Sequence, residues 1–69
     1  MIIYSVDRNY GNRGGAHDGF ECLSLAQEQF ARYCKDGSGR LRANRPCLLS
    51  IIRCEGSNKH ILVSRYFEV

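Results

Sequence analysis

The chain has 69 residues, with ten Lys and Arg against seven Asp and Glu, a formal charge of +3, and four cysteines. A chain this short makes one small domain, 1–69, with no room for a dinucleotide-binding unit, a barrel or a lobed active-site cleft. Ordering costs about 1.5 kcal/mol per residue, so nearly every apolar side chain must be buried; a charge this mild does not by itself mark a nucleic-acid domain.

Residues 1–10 alternate, with Ile2, Tyr4 and Val6 on one face and Ser5, Asp7 and Asn9 on the other, which predicts a strand with one buried side. Gly11-Asn12-Arg13-Gly14-Gly15 breaks regular structure, and Ala16-His17-Asp18-Gly19 is read as a continuation of that loop. Phe20-Glu21-Cys22 is expected as a short second strand. A helix follows, entered at Ser24 through an S-x-x-Q capping box with Gln27. Leu23, Ala26, Phe30, Tyr33 and Cys34 then recur at intervals of three and four and form one apolar stripe. Lys35 suits the negative pole of the helix, and Gly37 is a natural stop.

Residues 36–45 form a polar connector with three arginines, ended by Pro46. Cys47 to Cys54 is apolar on both faces, as expected of a strand covered on one side and partly on the other. Glu55-Gly56-Ser57-Asn58 predicts a hairpin turn. From Lys59 to Val69 the pattern alternates again, Ile61, Val63, Phe67 and Val69 against His60, Ser64, Tyr66 and Glu68, with Leu62 out of phase. The expected fold is α+β in ββαββ order: a small antiparallel sheet of three to four strands with one helix across one face. Its outer face would carry Ser5, Asp7, Ser50 and Ser64 and stay solvated or face a partner. The uncovered face and edges suit a monomer or a weak dimer.

No two cysteines sit as close as the C-x₂₋₄-C pairs of zinc sites, so no metal is expected. The N-terminal run lacks a basic segment followed by an apolar stretch, and no stretch approaches the roughly 18 apolar residues of a membrane span. The expectation is a cytoplasmic protein whose Cys22, Cys34, Cys47 and Cys54 are free thiols serving as small core hydrophobes. His17 and Cys22 lack a third group to orient an imidazole, and Gly11-x-x-Gly14-Gly15 has neither a following helix nor a Lys-Ser/Thr ending to hold phosphate. No catalytic residue and no cofactor is therefore assigned.

The position of the charge is more informative. Between Arg32 and Arg45 the chain carries Arg32, Lys35, Arg40, Arg42 and Arg45 against Asp36 alone, a local +4, while the remainder nets −1. Eight of the ten cations are arginine, whose planar fork pairs bidentately with phosphate or carboxylate. These five, with Arg13 in the glycine loop and aromatic contact from Tyr33, Tyr10 or Tyr66, are the candidate partner-binding residues.

Glu21-Cys22-Leu23-Ser24-Leu25-Ala26 enters the helix through an acid-x-Leu-Ser-x-Ala pattern. With the element order and basic run, it resembles the small phage-encoded anti-CRISPR proteins that inhibit type I surveillance complexes. That resemblance implies a non-catalytic inhibitor in the bacterial cytoplasm whose basic surface occupies the groove meant for target DNA. Family helix lysines fall opposite Gln27 and Arg32; Arg32 keeps the charge and Gln27 departs from it. The alternative is a small nucleic-acid-binding or antitoxin-like regulatory domain with direct nucleic-acid contact.

Overall fold

A computed structural model describes residues 1–36 and 46–68. The chain runs β1 (Ile2–Asn9), β2 (Gly15–Phe20), α1 (Leu23–Asp36), β3 (Cys47–Glu55) and β4 (Asn58–Phe67). The four strands form one antiparallel sheet in the order β2-β1-β3-β4, with α1 on one face. This is the expected α+β fold. The described part is a slab of 36 × 24 × 15 Å, two layers thick.

β1 obeys its alternation. Val6 is fully buried beneath α1, while Ile3, Ser5 and Asp7 line the opposite, open face. Central β3 supplies the largest share of the core, with Cys47, Leu49 and Ile51 alongside Val6, Ala26 and Tyr33. The helix stripe is as read: Ala26 and Tyr33 are buried, and Leu23, Phe30 and Cys34 pack at the margin.

Three local expectations change. The second strand lies earlier than predicted: Gly15–Phe20 pairs with β1 from Asn9↔Gly15 to Tyr4↔Phe20, and Glu21 and Cys22 fall outside it. A 3-10 turn at Gly11–Arg13 reverses the chain, with Gly11 and Gly14 at φ of 69° and 87°, so the hairpin loop between β1 and β2 is shorter than the 11–19 segment expected. Tyr10 N–H donates to the Gly14 carbonyl at 2.9 Å and closes it.

The helix also starts two residues earlier than a cap at Ser24 implies, so Ser24 sits inside the first turn rather than capping it. Cys22 takes the position ahead of the helix, with its Sγ 2.9 Å from Ser24 Oγ. The capping box is not formed.

On β4, Ile51 pairs with Val63 and Ile52 with Ile61, leaving Leu62 as the extra residue of a β-bulge. Leu62 is the residue that broke the alternation in the sequence. The bulge moves Ile61 to the open face beside Ile52, whereas Leu62 and Val63 face the helix side. Ile61 and Val63 therefore do not share a face, as the simple alternation implied. At the other end of the hairpin, Glu55↔Asn58 encloses a two-residue turn with Gly56 at φ 60°.

Candidate partner-binding surface

α1 is held by its inner face, which fixes what its outer face presents. Tyr33 is only 5% exposed, and its hydroxyl donates to Asp18 Oδ2 on β2 at 3.1 Å. The Arg8 guanidinium from β1 lies 5.1 Å from the Tyr33 ring centroid and 3.9 Å from the Asp18 carboxylate. Arg8, Tyr33 and Asp18 thus tie the second half of the helix to the β1–β2 hairpin. The stacked, charge-assisted geometry lets a cation sit at the edge of a core. Tyr33, expected as an aromatic contact for a partner, is committed to this interior cluster. Its place in the apolar stripe already carried that information; the role of Arg8 was missed, although the alternation that buries Val6 also sets Arg8 on the helix side of β1.

With Tyr33 turned inward, Arg32 and Lys35 are exposed in the last part of the helix. Arg32 Nη2 donates to Glu28 Oε1 at 2.7 Å, one turn earlier. Both partners are more than half exposed, at 55% and 57%, so the pair is a screened surface contact worth at most about 1 kcal/mol. A count that begins at Arg32 overlooks this partner, because Glu28 lies just ahead of the window. Lys35, in the last turn, makes no ion pair among the described residues.

The predicted positions Arg40, Arg42 and Arg45 lie outside the described residues. Arg13 ends the 3-10 turn between β1 and β2; its backbone is described and its side chain is not. The structure therefore brings Arg32 and Lys35 to one end of α1. Of the other tyrosines, Tyr66 is exposed on β4 and Tyr10 packs against the core.

The open sheet face has its own geometry. A depression of about 370 Å³ is lined by Ile3, Asp7, His17, Ile52, Cys54 and Lys59, among others. Ser5 Oγ donates to the Asp7 carboxylate and Ser50 Oγ lies 3.0 Å from Ser64 Oγ, so the four polar residues expected on this face satisfy one another in two pairs. His17 stands across the strand pair from Asp7, and its imidazole makes no hydrogen bond among the described residues.

The four cysteines are unpaired. Only Cys47 is buried, and burial pushes its thiol pKa up, against smaller opposing contributions from the Asn9 backbone, Tyr10 and Arg8. Cys34 packs at the core margin, Cys54 lies on the open face and Cys22 is exposed; the reading of all four as core hydrophobes is corrected for Cys22 and Cys54. Ser24's hydroxyl, then the backbone N–H groups of Ser24 and Leu25, lower the Cys22 pKa by favouring the thiolate.

Among the described residues, no group of three or more His, Cys, Asp or Glu side chains is placed to hold a metal ion. No helix among them is long and apolar enough to cross a membrane. Comparison with protein-family models, curated proteins and solved structures finds no match to this chain.

Proposed function

We propose that this protein is a non-catalytic inhibitor that docks through a basic surface onto a nucleic-acid-handling protein complex, a bacterial CRISPR surveillance complex, and blocks target DNA binding. The observation that supports it is the exposure of Arg32 and Lys35 on the outer end of α1, directly before a segment whose sequence adds Arg40, Arg42 and Arg45. Guanidinium groups so presented pair with acidic side chains beside the DNA-binding groove or with the phosphates of nucleic acid already bound, and the protein body then blocks the groove sterically. The Arg32–Glu28 pair is weak enough for a partner carboxylate to replace Glu28.

The test is a pull-down with purified surveillance complex, read alongside target-DNA binding. The wild-type chain is expected to be retained and to displace DNA. Arg32→Glu combined with Arg42→Glu should abolish both while circular dichroism stays unchanged, since Arg32 takes no part in the core. Retention of the folded double variant at wild-type affinity would sink the basic-surface reading. Recovery of nucleic acid alone, with a steep salt slope, would move the function to a nucleic-acid-binding regulatory domain.

A further inference from the structure

The two edges of the sheet are built differently. β2 is six residues long, carries Gly15 and Gly19, and presents His17 and Asp18, which makes it a poor template for another strand. β4 is ten residues long and exposed over almost its whole length, with Ile61, Leu62, Val63 and Tyr66 at 65%, 47%, 41% and 58%. Long apolar edges of this kind are what natural sheets normally protect. α1 lies over β1, β2 and β3, leaving an apolar groove between Leu23 and Phe30 of the helix and Leu62 and Val63 of β4.

We propose that β4 is covered by the β4 of a second copy, paired antiparallel about a two-fold axis at Ser64. The bulge decides the register. Because Leu62 and Val63 together occupy one ladder position on the helix side, the strand alternates without a break from Lys59 on the open face to Phe67 on the helix face. An axis at Ser64 then sets Arg65 opposite the Leu62–Val63 pair, on the same face. It sets Tyr66 opposite Ile61, so the two most exposed apolar side chains of the strand cover each other across the interface.

At the ends of the pairing Phe67 meets His60, and Glu68 meets Lys59 with opposite charge. Moving the axis one position forward would place Arg65 against its own copy. Moving it one position back would set His60 against Arg65 and leave Glu68 without Lys59. Of these three axes only that at Ser64 is complementary in both charge and apolar contact, and this selects a second copy of the chain as the occupant. The joined sheet would read β2-β1-β3-β4 continued by the same four strands in reverse, with both helices on one face.

Sedimentation equilibrium on the full chain at low salt tests this. The mass should rise with concentration from that of the 7.9 kDa chain toward twice that value. Lys59→Glu and Glu68→Lys should each weaken the dimer by about tenfold, because every substitution acts twice in a symmetric interface. The two together should restore it, since the exchanged charges again meet between copies. Arg32→Glu, on the exposed side of α1, which lies over β1, β2 and β3, should leave the dimer unchanged, which separates this result from that of the basic surface. A monomer at every concentration overturns the proposal, as does a dimer indifferent to both single substitutions, or a double variant that fails to recover.

Discussion

Cys22 is the side chain whose chemistry departs most from what its sequence position suggests. It stands ahead of α1, where the Ser24 hydroxyl and the backbone N–H groups of Ser24 and Leu25 favour its thiolate and lower its pKa. Cys47 is shifted the other way, since burial disfavours its charged form. Alkylation follows thiolate concentration and access, and Cys22 has both. Iodoacetamide under native conditions is therefore expected to label Cys22 first. Its rate should persist at a lower pH than an ordinary thiol's, and Cys47 should react only on unfolding. Peptide mapping across a pH series reads this directly. Ser24→Ala removes the largest stabilising contact and should move the Cys22 profile to higher pH. Preferential labelling of Cys34 or Cys54 would contradict the assigned geometry.

At the scale of elements, β2 shows what a local reading misses. Nothing in Gly15-Ala16-His17-Asp18-Gly19-Phe20 alternates in hydrophobicity, and two glycines argue against a strand. It is a strand because β1 offers it a free edge and because the 3-10 turn with Gly11 and Gly14 reverses the chain in register. Gly15 is needed there: a Cβ at that position would fall on the Arg8 carbonyl oxygen of the neighbouring strand. Gly15→Ala should force the β1–β2 ladder apart at its turn end and cost about 1–3 kcal/mol. A urea midpoint lowered accordingly, with faster amide exchange in β2, would bear this out, and an unchanged midpoint would refute the close approach.

By contrast β1 and α1 were legible because each buries one face and so writes its period into the sequence. β3 was legible because its run is apolar on both faces, and the last hairpin because its turn residues mark it although β4 stays exposed. Leu62 was visible as a break in phase, but a break shows only that something shifts, and the partner strand is needed to identify a bulge. The candidate surface was legible in the same partial way. A run of cations is a linear feature and can be counted, whereas the Glu28 partner of Arg32 and the inward turn of Tyr33 depend on the helical period.

The whole molecule is one helix on one sheet, so every core residue lies in a single layer between them. The buried apolar set is Val6, Ala26, Tyr33, Cys47, Leu49 and Ile51, a small number on which to rest a stability that for such domains is about 5–15 kcal/mol. Leu48 and Leu49 make a controlled comparison, being adjacent in β3 and pointing to opposite faces. Leu49 is fully buried under α1 and Leu48 is 38% exposed on the open face. Leu49→Ala removes a side chain around which nothing can close without moving the helix, and should cost about 2–5 kcal/mol. In a domain of this size that lowers Tm by on the order of 10 °C or more. Leu48→Ala should cost under about 1 kcal/mol. Thermal melts must be run at one protein concentration, because pairing through β4 would stabilise the folded state by mass action and couple Tm to concentration. Equal losses for the two variants would mean that the open face is as tightly packed as the helix face, and the two-layer architecture would have to be abandoned.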